Sequence, residues 1–429
     1  MSLSSADIAV TPSIALEPES TGVARFRDSL AVVAMVGSNI FNVLALVGIM
    51  PVIAAITMHF AAHAQNGVVF TILGYGVGTE IASQLMITLL NIGIMFAGPL
   101  LGLVAQRAGY MRLLTVALAL YAVAGSAGLY LDSPVNLLLS RLFLGLAGAS
   151  ISICCYSLIG DRFQGERRAR MLGYQSALVM ATGLIALFGA GAIADFGGWR
   201  APFALYLLAI PMFILTLFAA HPAARRPVAG VKPAGVGSLL PMWPFYLMLV
   251  PFNLAIYMTS VHLPYVLVSD GVTKPSLQGD IMASSFLMNI LASLSYGRIA
   301  SRMSRRSIFI LLMGIFALSD MVIGLSHNWV GSLIGVWVAG LGGGLMTPFF
   351  VNIILNRVSA EVRGAAIGFM YSMMYVGDFM NPLVITPLRQ QVGNHQIFAV
   401  MGVILIGAVL IQTMSRKTPL GVEQKLATR

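Results

Sequence analysis

Between residues 29 and 416 the chain returns repeatedly to apolar runs of about 20 residues or more, and no other feature restricts its fold so severely. Twelve such runs are present, over 29–57, 80–104, 111–131, 135–159, 170–194, 201–220, 241–267, 279–300, 307–327, 330–355, 365–388 and 396–415. Each is long enough to cross a hydrocarbon core about 30 Å thick at about 1.5 Å of rise per residue. Water does not reach that core, so the backbone must satisfy itself as helices or as a closed barrel. Barrels alternate in segments of about ten residues, whereas these runs are continuous, which predicts helices. With 58% apolar residues, 9% charged and a mean hydropathy of +0.88, an ordinary soluble domain is excluded. The expected fold class is an all-α membrane protein with 12 transmembrane helices.

Charge placement orients the spans. If the N-terminus is inside and the spans alternate, all but four of the 25 Lys and Arg fall in inner segments; Arg200, Lys274 and Arg389 lie outside and Arg141 within a span. The net charge of +10 therefore marks inner loops rather than a nucleic-acid partner. An even number of spans follows, with both termini cytoplasmic in a multi-pass cytoplasmic (inner or plasma) membrane protein. Residues 58–79, "MHFAAHAQNGVVFTILGYGVGT", hold no Lys, Arg, Asp or Glu, but glycines and polar breaks predict an outer loop rather than a thirteenth span. Residues 1–28 carry charge without an apolar core of their own, so a cleaved secretory signal is not expected.

One charged cluster, "DRFQGERRARMLG" at 161–173, is answered 195 residues later by "NRVSAEVRGAAIG" at 356–368. Arg162 meets Arg357, Glu166 meets Glu361, Arg168 meets Arg363 and Gly173 meets Gly368. The same offset relates "GLVAQRAG" (102–109) to "GRIASRMS" (297–304), setting Gly102 against Gly297 and Arg107 against Arg302. An internal repeat of this length predicts two six-helix halves, 29–220 and 241–416, with a Pro/Gly-rich cytoplasmic linker at 221–240 and tails at 1–28 and 417–429. Parallel halves of this kind rock about a site at mid-membrane.

Several motifs resemble the major facilitator superfamily, nearest its 12-span drug:proton antiporter-like branch. "GPLLGLVAQRAGYMR" (98–112) resembles the family's loop signature after the second span, with Gly102, Arg107, Gly109 and Arg112 in place and Gln106 where the family usually has aspartate. "RLFLGLAGA" (141–149) resembles the arginine–glycine motif of the fourth span, through Arg141 and Gly145; the glycine-rich fifth span lacks the antiporter Gly-Pro pair. The resemblance implies the major facilitator fold, a cavity lined by the first, fourth, seventh and tenth spans, and transport by alternating access.

The repeat sorts the charges. Shared ones in inner loops (Arg107, Arg302, Arg162, Arg357, Glu166, Glu361, Arg168, Arg363, with Gly102, Gly109, Gly297 and Arg112) read as gate and topology elements, the plainer alternative being solvated loops. Unshared ones inside spans are functional candidates, since a charge at a helix centre costs about 2.5–3.5 kcal/mol to insert. Asp378 stands about 21 Å along its helix from the inner end. "YSMMYVGDFMNP" sets Tyr371, Tyr375 and Asp378 on one stripe, with Asn381 beside them. Desolvation there suits a carboxyl that exchanges protons, and a structurally paired aspartate is the alternative. Arg141 reads as a partner for a carboxylate or an anionic substrate, or as a side chain reaching the outer interface; Glu80 reads as a further proton-coupling group or an interfacial one; Asp320 reads as a packing residue.

Polar content in the cavity-lining spans is sparse: Asn39, Asn42, Tyr156, Asn253, Tyr257 and Asn352, with Gln175 and Asn289 from the fifth and eighth. Interhelical hydrogen bonding is the alternative role for each. Together with 25 methionines they suit an apolar or amphipathic ligand better than a sugar. Cys154 and Cys155 are adjacent, the six histidines are scattered, and "GLGGGLMTPF" (340–349) lacks the Gly-Lys-Ser/Thr of a phosphate loop, so no metal, cofactor or enzymatic centre is expected. The expected function is a proton-coupled exporter of a hydrophobic or amphipathic small molecule, working as a monomer in the lipid bilayer with protons and substrate as its partners. The alternatives are a proton symporter importing an organic anion and a transport-inactive receptor or scaffold.

Overall fold

The computed structural model describes residues 22–64, 68–72, 75–219, 236–272 and 274–414. Most of the N-terminal tail, most of the linker and the C-terminal tail expected from sequence lie outside these residues. All twelve expected runs are helical. The second span is Thr79–Ala108, the fourth Pro134–Arg162, the fifth Gly165–Gly197, the eighth Pro275–Arg302, the ninth Arg305–Leu325, the tenth Trp329–Arg357, the eleventh Arg363–Val392 and the twelfth Gln396–Met414.

The other spans change pitch along their length. The first comprises helices Gly22–Gly37, Ile40–Val47 and Ile53–His63, joined through a break at Ser38–Asn39 and the 3₁₀ turn Met50–Val52. Pro51 has no N–H to continue the α-helical ladder, which accounts for the second break. The third span runs Tyr110–Gly125 into the 3₁₀ turn Ser126–Leu129. The sixth is 3₁₀ over Ala201–Leu208 and α-helical over Ala209–Phe218; the seventh is 3₁₀ over Val236–Met242 and α-helical over Trp243–Ser269.

The stretch expected as a plain outer loop is more ordered than that. The first span's last helix continues to His63, and strands β1 (Val68–Ile72) and β2 (Tyr75–Gly78) pair antiparallel, with Phe70 opposite Val77 and Ile72 opposite Tyr75. Val, Phe, Ile and Tyr favour the pleated conformation where a run is too short to span.

Nine of the described helices are long and apolar enough to cross a membrane by themselves. The second, eighth and eleventh spans are not among them, although they are 30, 28 and 30 residues long. These three pack in the seam between the halves, the second against the eleventh and the eighth against the fifth, so polar side chains on them face protein rather than lipid.

The seam is reciprocal. Residues 102 and 297 are repeat partners, as are 170 and 365. A methyl group on Gly102 would sit 2.4 Å from the Ala365 nitrogen, and one on Gly297 would sit 3.0 Å from the Arg170 Cα. One turn away, a methyl on Gly98 would meet the Gly368 carbonyl oxygen at 2.5 Å, and one on Gly173 the Ser293 carbonyl oxygen at 2.4 Å. The backbones therefore touch across the halves near the arginine-rich loops, hereafter the basic end.

Candidate functional site

Asp378 lies half-buried in the eleventh span and is held from the seventh. Asn253 Nδ2 donates to Asp378 Oδ1 and to the Met374 carbonyl at 2.9 Å. Tyr257 and Tyr375 lie within electrostatic reach of the carboxyl. Among the described residues no Lys, Arg or His pairs with it. A carboxyl held by an amide rather than a cation can take up and release a proton without breaking an ion pair.

A second polar cluster sits in the first half, at the break in the first span. Asn39 Nδ2 donates to Tyr156 Oη at 3.0 Å, Ser152 Oγ donates to Asn39 Oδ1 at 2.8 Å, and Asn42 Nδ2 donates to Ser152 Oγ at 2.5 Å. The Tyr156 ring stacks on Tyr371 across the seam, with centroids 6.2 Å apart, and Tyr371 stacks on Tyr375 at 6.4 Å. The two clusters thus join through one line of tyrosines, from Asn39 in the first half to Asp378 in the second.

Other expected residues fall elsewhere. Asn381 is fully buried and bonds to the Leu254 carbonyl at 2.8 Å and His262 Nε2 at 3.0 Å, away from the carboxyl. Gln175 Nε2 donates to the Met35 carbonyl at 3.0 Å, which fixes its Oε1 as an unpartnered acceptor. Asn289 Oδ1 is also unpartnered, opposite Gly343. Asn352 belongs to the basic end: its Nδ2 donates to Tyr296 Oη at 3.1 Å, and it borders a cavity of about 270 Å³ with Glu166, Ser301, Arg305 and Asn356. The side chain of Glu80 lies outside the described residues.

Arg141 corrects two expectations at once. It neither reaches the outer interface nor meets a carboxylate; it is fully buried between the third, fourth and sixth spans. Its guanidinium donates to the Gly125 carbonyl at 3.0 Å and to Tyr206 Oη at 3.4 Å, and lies over the Phe203 and Tyr206 rings at 5.1 and 5.4 Å. Carbonyls and aromatic faces satisfy a cation without a counter-ion. Asp320, the repeat partner of Gly125, is likewise buried, with Oδ2 unpartnered.

At the basic end the repeat motifs meet each other. Arg168 donates to the Leu355 carbonyl and to Asn356 Oδ1, both at 3.1 Å, while Arg363 pairs with Asp161 Oδ1. Since 168 matches 363 and 161 matches 356, this is one latch made twice, once to a carboxylate and once to an amide. Gly364 N donates to Tyr110 Oη at 3.2 Å. The remaining charges stay local. Arg162 pairs with Asp28 at 3.3 Å, and Glu166 pairs with Arg170 at 2.8 Å along its own helix. Arg107, Arg112 and Arg302 are exposed and form no ion pair among the described residues; Arg357 is half-buried facing Arg305, and Glu361 is exposed in the turn before the eleventh span. Gly109 has φ of 90° at the turn from second to third span, a left-handed conformation that favours glycine.

Sequence reasoning missed Ser152, Tyr296 and His262. Each is an unremarkable side chain inside an apolar run, and only contact with another span gives it a partner.

Comparisons with known proteins agree with this architecture. The family model described as Major Facilitator Superfamily matches residues 33–279 and 245–427. The "Uncharacterized MFS-type transporter YhcA" of Bacillus subtilis (strain 168) is 28% identical over 155 residues, 35% of this chain and 28% of that protein. The niacin transporter NiaP of Acinetobacter baylyi is 26% identical over 153 residues, 36% of this chain and 34% of that one. The quinolone resistance protein NorB of Staphylococcus aureus is 28% identical over 176 residues, 40% and 36% of the two chains. The chain thus spans about a third of the length of the curated relatives it matches. Among solved structures, the human organic anion transporter MFSD10 superposes with a TM-score of 0.72 at 15% identity, covering 90% of this chain and 99% of that one. The proton:xylose symporter XylE superposes with a TM-score of 0.74 at 14% identity, covering 90% and 94%. These identities carry the fold alone. The family match over nearly the whole described chain, two reciprocal six-span halves and a seam closed at one end make this protein a member of the major facilitator superfamily, a family of transporters rather than enzymes.

Proposed function

We propose that the protein is a proton-coupled secondary transporter of the cytoplasmic membrane, working as a monomer by alternating access and exporting a hydrophobic or amphipathic small molecule. Asp378 is the proton carrier. The observation that carries this reading is its setting: a half-buried carboxyl within a span, held by Asn253, without a cation among the described residues, and joined by Tyr375, Tyr371 and Tyr156 to Asn39 in the opposite half. Protonation removes the charge that a passing amphipathic cation or dipole would otherwise engage, so proton and substrate compete for one group. With both termini and the basic end cytoplasmic, the closed seam describes a state shut toward the cytoplasm. Kinship with quinolone resistance and efflux proteins supports export. Import of an organic anion finds no support from Arg141, whose guanidinium faces the third and sixth spans.

The test uses inside-out vesicles and the fluorescent amphipathic cation ethidium. Wild-type protein is expected to concentrate the dye when the lumen is acidified, whereas Asp378→Asn equilibrates it without concentrating it. Accumulation against a gradient by Asp378→Asn would exclude Asp378 as the coupling group.

A further inference from the structure

At the end opposite the basic loops, the two halves solve one structural problem with different chemistry. Arg200 and His395 are repeat partners, as are Gly128 and Ile323, and Asp132 and His327. In the first half Arg200 Nη1 donates to the Gly128 carbonyl at 2.8 Å and the Leu131 carbonyl at 3.1 Å, and its other arm pairs with Asp132. In the second half His395 Nδ1 lies 3.0 Å from the Ile323 carbonyl oxygen, the same carbonyl by the repeat. A permanent cation in one half is thus replaced by a titratable ring in the other.

The second-half site is defined atom by atom. A carbonyl only accepts, so Nδ1 carries a hydrogen. Nε2 lies 2.9 Å from Asp270 Oδ1, with Ser269 Oγ at 3.4 Å, and Ser332 Oγ donates to Asp270 Oδ2 at 2.9 Å. Without a proton between Nε2 and Oδ1, a ring lone pair would face a carboxylate oxygen at contact distance, which is repulsive. The pair therefore holds one proton. Its side chains are only 10% and 2% exposed, so water does not substitute for the missing bond. The groups around it are few. The exposed His327 ring lies edge-on at 5.2 Å, and Arg389, on the neighbouring turn, is committed to Asn394 and the Tyr265 ring.

We infer that a proton bound between His395 and Asp270 is a structural ligand that fastens the second half at this end. It ties the turn after the seventh span, the end of the ninth, the first turn of the tenth and the turn before the twelfth. The first half, with Arg200 at the matched place, needs no such ligand. A proton bound only in the folded site stabilises the fold while it is held, and the contribution is lost when it is released.

The full-length protein in detergent tests this by thermal unfolding and by hydrogen exchange between about pH 5 and about pH 9. The wild-type midpoint is expected to fall by about 1–2 °C over the alkaline part of this range. Exchange in the turn at 393–396 should rise beyond its chemical pH dependence. His395→Arg, which copies Arg200, should flatten both trends. Asp270→Asn should flatten them too, because a carboxamide N–H can donate to the neutral ring, so the test survives misfolding of either variant. Asp378→Asn should keep both trends, separating this site from the coupling group. Wild-type trends retained in His395→Arg or in Asp270→Asn would overturn the inference.

Discussion

At the scale of single residues, two ionisable groups inside spans have opposite arrangements. Asp378 has one amide donor and tyrosines around it, so its charge can change with little rearrangement. Arg141 is boxed by carbonyls and rings that would be stranded without it. Arg141→Met is therefore expected to lower stability by about 1–3 kcal/mol, through the unsatisfied Gly125 carbonyl and the lost ring contacts, while the KM for a transported dye stays within about twofold. Thermal unfolding and initial transport rates check the two halves of that prediction, and a large KM change at unaltered stability would return Arg141 to the cavity. The tyrosine stripe at i, i+4 and i+7 made Asp378 legible in the sequence. The box around Arg141 was not, because backbone carbonyls leave no mark in a sequence. Ser152 and His262 stayed hidden for a related reason, since their partners lie more than 100 residues away.

At the scale of elements, the second and eleventh spans touch through glycine, and there is no slack at the contact. Gly102→Leu drives a side chain into the Ala365 backbone and should push the seam apart. Ser176, buried in the seam, bonds with Ser293 across it at 3.1 Å, so a cysteine at 176 reports the separation. Maleimide labelling of Ser176→Cys from the basic side is expected to rise about tenfold when Gly102→Leu is added, and unchanged labelling would mean that the contact does not hold the seam. Apolar length made all twelve helices legible. The strand pair at 68–72 and 75–78 was not, because Val-Val-Phe-Thr-Ile surrounded by helical runs reads as more of the same.

At the scale of the whole molecule, the reciprocal latch turns sequence repetition into a conformational preference. Its two copies differ in strength, since Arg363 meets a carboxylate and Arg168 an amide. Asp161→Asn makes them alike and should shift the equilibrium toward opening at the basic end by about 1–3 kcal/mol. Spin-label distances between the loops at that end are expected to lengthen, and an unchanged distribution would assign the closed state to the glycine seam alone. The 195-residue offset made the halves and their matched arginines legible. Which end is shut was not, because it depends on a small difference between two packed states of one sequence. The glycine contacts carry one more consequence, for electrical tightness. At these contacts backbone presses on backbone, with no room for a methyl group between them. Such a wall would keep a membrane potential of about 100 mV, worth about 2.3 kcal/mol per charge, from short-circuiting through the protein during the proposed proton exchange at Asp378.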